Sequence, residues 1–230
     1  MQNTTDKKIA MQTQAKLEKL IAASMPELIA HFASHTQLAP MASFCIDKEK
    51  GLRNQANATI LSFIENTQKL PMTTQRDIAV ELCELFCFTH FQTLTTPLLR
   101  YFISVMQDWT AAEPNNDVPL SWLSFLTYDG DYALLAYAQN PNNAFVLCQV
   151  VNMHLTNLEN QTHQSHEIKT KGDCASLNQT LVATKNYLDD LKKLTDANNV
   201  QYTHYVNKTY DQYMIEYAEY LAIYNQWLKN

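Results

Sequence analysis

Seven histidines and five cysteines are the residues from which a metal centre or a nucleophile would have to be built. His31 and His35 stand four apart, the spacing at which two imidazoles on one helix face share a zinc ion. Phe32 fills the place where the metalloprotease motif carries its glutamate base, so that chemistry is excluded. With Leu28 and Phe32 beside them, the two histidines read as polar flanks of a buried stripe. Cys83, Cys87 and His90 follow at i, i+4 and i+7, with Glu84 close by. They fall short of the four ligands that structural zinc takes, and Phe86, Phe88 and Phe91 around them argue for buried thiols rather than reactive ones. Glu159, His163 and His166 repeat the same spacing beside Glu167, but no apolar residues surround them to dry a site, so adventitious metal uptake is the expectation there. None of these groups calls for a cofactor, a resident metal or a catalytic assignment.

Linear motifs of catalysis are missing as well. The chain has no Glu-x-x-His for a carboxylate-bridged di-iron bundle, no G-x-S-x-G elbow, no kinase signature and no calcium loop. With only 3 glycines, it also lacks the glycine-rich phosphate loops of Rossmann and P-loop proteins, which need positive φ or close backbone approach.

Charge narrows the partners. The 230 residues carry a net charge of −6, and the 68 residues between Arg100 and Lys169 contain no Lys or Arg at all. Asp108, Glu113, Asp117, Asp129, Asp131, Glu159 and Glu167 all fall in that stretch. Such a segment repels polyanions and has nothing to neutralise phosphates, so nucleic acid is not an expected partner. A basic protein is attracted instead. No apolar run reaches the roughly 18 residues of a membrane helix, and the opening MQNTTDKKIAMQTQAKLEKL has no secretory apolar core. The odd number of cysteines, without a C-x-x-C pair, suits a reducing cytoplasm better than a disulfide framework.

The elements that must position these residues are helical. Apolar spacing predicts a first helix over about residues 5–23 and a second opened by the capping box Ser24-Met25-Pro26-Glu27, stopped at Pro40. A loop is expected over 39–51. Further helices are expected over Leu52–Leu70, Gln75–Gln92, Leu98–Trp109, Asp117–Tyr128, Asp131–Gln139 and Ala144 to about Asn160. Asp129-Gly130 reads as the stop between two of them, and the polar segment 161–175 as a loop or boundary. Two long helices close the chain, Leu177–Leu194 and Val200–Leu228. The fold class is therefore all-α, an irregular bundle of about ten helices with a long C-terminal antiparallel hairpin. The expected organisation is a helical body over 1–165 and the hairpin over 174–230, packed on the body or extending from it, with one single domain as the alternative.

The last helix carries the most regular pattern. Tyr210, Tyr213, Tyr217, Tyr220, Tyr224 and Trp227 alternate steps of three and four, with Met214, Leu221 and Leu228 widening the face. Tyrosine buries a ring while its hydroxyl reaches water, which suits a half-covered seam, and Tyr and Trp concentrate binding energy at interfaces. The seam packs on the preceding helix in one reading and meets a second chain in the other. Taken together, the sequence points to a non-catalytic cytoplasmic protein of inhibitor, immunity, adaptor or chaperone type. It would bind another protein, basic in character, or a second copy of itself through Asp117, Asp129, Asp131 and the tyrosine face. The alternative is a small-molecule or metal-dependent enzyme with a pocket between helices.

Overall fold

The computed structural model describes residues 23–88, 94–163, 171–196 and 203–228. Among them are ten helices and no strand. The helix expected over 5–23 lies outside the described residues. The chain divides into two compact units, Met1–Pro114 and Asn115–Asn230, and the break expected at 165–174 falls inside the second.

In the first unit, α1 (Met25–Ser34) starts where the capping box places it: the Glu27 carboxylate accepts from the Ser24 backbone N–H and from its hydroxyl, both at 2.7 Å. It buries Leu28 and Phe32 and ends at His35, whose backbone is extended. Pro40 corrects the sequence reading. Instead of stopping a helix it sits in the first turn of α2 (Ala39–Glu49), where a missing N–H costs nothing, and Met41, Ala42, Phe44 and Cys45 turn the expected loop into a core helix. Gly51, at φ 73°, turns the chain into α3 (Arg53–Thr67), which packs on α2. Pro71 separates it from α4 (Met72–Phe88), and α5 (Thr96–Ala112) packs on both α3 and α4. Buried Gln75 ties the turn to the bundle: its amide donates to the Leu70 carbonyl at 2.8 Å while its oxygen accepts from the Tyr101 hydroxyl at 3.0 Å.

The second unit is arranged around α8 (Ala144–His163), which contacts α6 (Asp117–Thr127), α7 (Gly130–Gln139), α9 (Lys171–Asp196) and α10 (Thr203–Trp227). Its Phe145, Val146, Leu147, Val150, Val151, Leu155 and Leu158 are all buried. From α6 come Leu120, Trp122, Leu123 and Leu126, and from α9 Leu177, Leu181, Leu188 and Leu191. Gly130 has a packing role rather than the stop role expected of it. It opens α7, and a β-carbon there would lie 2.9 Å from Met153 Cγ and closer still to its sulfur, so a larger residue would require the Met153 side chain to shift. The left-handed residue that ends α6 is Tyr128, at φ 57° and ψ 27°. None of the described helices is long and apolar enough to cross a membrane.

Candidate functional site

Three places hold the residues singled out by the sequence. The first is the corner between α6 and α7. The Asp129 carboxylate accepts from the Asp131 N–H at 2.9 Å and so caps α7, while its own N–H donates to Thr127 Oγ1 at 3.3 Å. Both aspartates remain exposed. Between α6 and this cap stands Tyr128, 89% exposed, more than any other large apolar residue described. Helical spacing sets Leu134 and Leu135, also exposed, on the face of α7 that carries Asp131. The corner therefore presents an exposed phenol followed by two exposed carboxylates at the start of α7, with exposed leucines further along that helix.

Asp117 belongs elsewhere, at the opposite end of α6. It is half-buried and accepts from the side-chain amides of Asn140 and Asn143 at 3.1 and 2.8 Å. Asn143 in turn caps α8 through the Phe145 and Val146 N–H groups at 3.1 and 3.3 Å. The carboxylate thus holds the α7–α8 connection to the start of α6.

The second place is the aromatic face of α10. Tyr213 and Tyr217 are 7% and 9% exposed, while Tyr210, Tyr220, Tyr224 and Trp227 are half-buried. The stripe faces α8 and α9. Burial raises the Tyr217 phenol above its ordinary range, with Lys185 opposing and Asp189 adding to the effect. Tyr220 is raised by burial and by Glu159, Glu216 and Glu219. The two innermost rings are core of the unit, and the outer four are partly exposed.

The third place lies in the first unit, where α1 meets α4. His31 Nε2 is 3.2 Å from Glu81 Oε1, and the His35 ring stands edge-on to His31 with centroids 4.6 Å apart. The His31 side chain is 9% exposed and that of Glu81 37%. One ligand atom from each of the three residues lies within 4.8 Å of the others.

The remaining candidates are less rich. Burial pushes the Cys45 and Cys148 thiols up to about 12. Cys83 is raised well above its usual range by burial, then by Cys87 and Glu84. These are protonated thiols rather than nucleophiles. His90 and His166 lie outside the described residues. An open depression of about 600 Å³ between α2 and α3 is lined by Ser43, Ala58, Thr59, Ser62 and neighbours, without an acid, base or thiol.

Two residues escaped the sequence reading. Glu81 arrives from a helix fifty residues further on than His31, and no local pattern joins them. Tyr128 was hidden by Gly130, which looks like a helix stop two positions too late. A signal was present in the polar Tyr-Asp-Gly-Asp corner, where an aromatic side chain is out of place. No family model, curated protein or solved structure matches this chain.

Proposed function

We propose that this protein is a non-catalytic binding protein that engages a basic protein partner through the α6–α7 corner, with Tyr128 as anchor and Asp129 and Asp131 as its charged rim. The observation that carries this reading is the conformation of Tyr128: a large aromatic residue in the left-handed region with its ring 89% exposed. Such a backbone costs a non-glycine residue about 1–2 kcal/mol, and no burial of the ring compensates it. Residues held in sparsely populated backbone regions cluster at ligand clamps and switch regions, and glycine or asparagine would end this helix without the strain. Electrostatics supports the choice of partner, since a segment of 68 residues without Lys or Arg leaves both aspartates without a neighbouring cation in the sequence. The half-buried rings of Tyr210, Tyr220, Tyr224 and Trp227 form a second aromatic surface, for which a second copy of the chain is the occupant to test. None of the five cysteines is in a disulfide, which suits a reducing cytoplasm.

The test is affinity capture from the native host with the wild-type protein, Tyr128→Gly and Asp131→Lys, quantified by mass spectrometry at low and high salt. A basic protein retained by the wild type, released by salt and lost with either variant is the expected outcome. Loss of a hot-spot tyrosine should weaken the complex by about thirtyfold. Capture of the same proteins by all three forms would refute the corner as the contact, and sedimentation of the purified chain reports whether a second copy takes the α10 face.

A further inference from the structure

We infer that His31, His35 and Glu81 form a binding site for a divalent transition-metal cation of the zinc type, held by two imidazoles and one carboxylate. The site is in the first unit and does not depend on the partner contact proposed for the second. The donor set fits borderline-soft ions such as Zn²⁺, which take neutral imidazole nitrogen and carboxylate oxygen together.

Geometry supports the same conclusion. Zinc–ligand bonds of about 2.0–2.1 Å at tetrahedral angles put neighbouring ligand atoms about 3.3 Å apart. His31 Nε2 and Glu81 Oε1 are already 3.2 Å apart, so an ion placed between them replaces their hydrogen bond without moving either helix. The third donor stands at the end of α1, close to the other two. His35 follows the last turn of α1 with an extended backbone, φ −110° and ψ 113°, and its half-buried ring reaches back toward His31 instead of continuing along the helix. All three donor atoms fall within 4.8 Å of one another, so a side-chain rotation of His35 completes the set.

The surroundings divide the work between the ligands. Phe32 and Leu82, neighbours in sequence of His31 and Glu81, are fully buried and anchor the two helices that present the donors. The outer side is open at Glu81, which gives an ion its route in and leaves a fourth position for water. The i, i+4 histidine pair thus gains the carboxylate that the position after His31 lacks, supplied from α4.

The experiment uses the tag-free full chain, stripped with chelator and titrated with Zn²⁺ alone. Calorimetry should show a saturable equivalent that His35→Ala weakens, separate from the adventitious uptake expected at Glu159, His163 and His166. In histidine-ring NMR of the wild type, the His31 and His35 signals should move first among the seven histidines. Co²⁺ in place of Zn²⁺ should give the intense visible bands of a four-coordinate ion. His35→Ala and Glu81→Gln, both changes on the more open side of the cluster, should each weaken binding by at least about tenfold, with circular dichroism unchanged. Absence of saturable uptake would overturn the site, and so would equal uptake by both variants. So would ring signals that move only for histidines other than these two, an outcome read on the wild type and independent of whether any variant folds.

Discussion

Replacing Tyr128 by glycine should make this protein more stable while removing the partner contact proposed for the α6–α7 corner. The ring is 89% exposed, so truncation forfeits almost no packing. The backbone sits at φ 57°, where a side chain costs about 1–2 kcal/mol that glycine does not incur. Glycine loses about 0.5–1 kcal/mol more conformational entropy on folding, so the net gain is about 0.5–1 kcal/mol. For a unit of roughly a hundred residues, that raises the melting midpoint by about 2–5 °C. Tyr128→Ala is the matched control: it removes the same ring, keeps the strain, and should leave stability within about 0.5 kcal/mol of the wild type. Both variants should lose the partner equally.

Differential scanning calorimetry and urea unfolding followed by circular dichroism measure the first effect, and captured partner measures the second. A midpoint that falls for Tyr128→Gly by more than about 1 kcal/mol equivalent would show that the ring contributes packing, and the argument from strain would fail. Binding kept by alanine but lost by glycine would place the effect in backbone order rather than in the phenol. That result would remove Tyr128 as the anchor.

Three further outcomes follow from the second unit. Asp117→Ala leaves the Asn140 and Asn143 amides without their acceptor and should cost about 1–3 kcal/mol in urea unfolding, with partner capture retained. Tyr217→Ser, at a buried position, should cost about 2–4 kcal/mol, whereas the same change at half-buried Tyr224 should cost clearly less; equal small losses would mean that the stripe is not core. Burial lowers the His154 pKa below its ordinary 6.5, so the unfolded chain binds this proton first and stability is lost as pH falls below about 6.5. His154→Phe, placed against the Tyr187 ring at 5.1 Å, should flatten that part of the pH–stability curve measured by thermal unfolding.

Helix identity was legible because its signals are local. The Ser24–Glu27 box, the proline after α3 and the apolar stripes each speak within one or two turns. Pro40 shows where locality fails. Proline both ends helices and opens them, and the choice here depends on whether Met41, Phe44 and Cys45 find a core, which is a tertiary fact. The histidine pair was equally visible as a pair, but its meaning changes once Glu81 joins it from α4, and nothing in residues 31–35 announces that. The tyrosine face of α10 is visible in the sequence as a stripe, yet only burial separates Tyr213 and Tyr217 from the four half-covered rings. Asp117, Asp129 and Asp131 look alike as acids in a chain stretch without cations. Hydrogen bonding distinguishes them, since one is engaged by two amides inside the unit and the other two stand at an exposed corner.

That corner also shows why the scarcity of glycine matters. Gly51 takes positive φ in open space, the use for which the residue is suited. Gly130, two positions after the left-handed turn of the second unit, instead makes room for Met153. Backbone conformation at Gly51 and the nearby Met153 side chain at Gly130 account for these two glycines without touching residue 128, where the backbone calls for glycine or asparagine and carries tyrosine instead. Neither the end of α6, which glycine or asparagine would serve, nor the start of α7, which Asp129 caps, requires a phenol at that point. What the ring alone adds is a planar, amphipathic surface near Asp129 and Asp131, and a tyrosine, with only two side-chain torsions, loses little entropy when a partner closes over it.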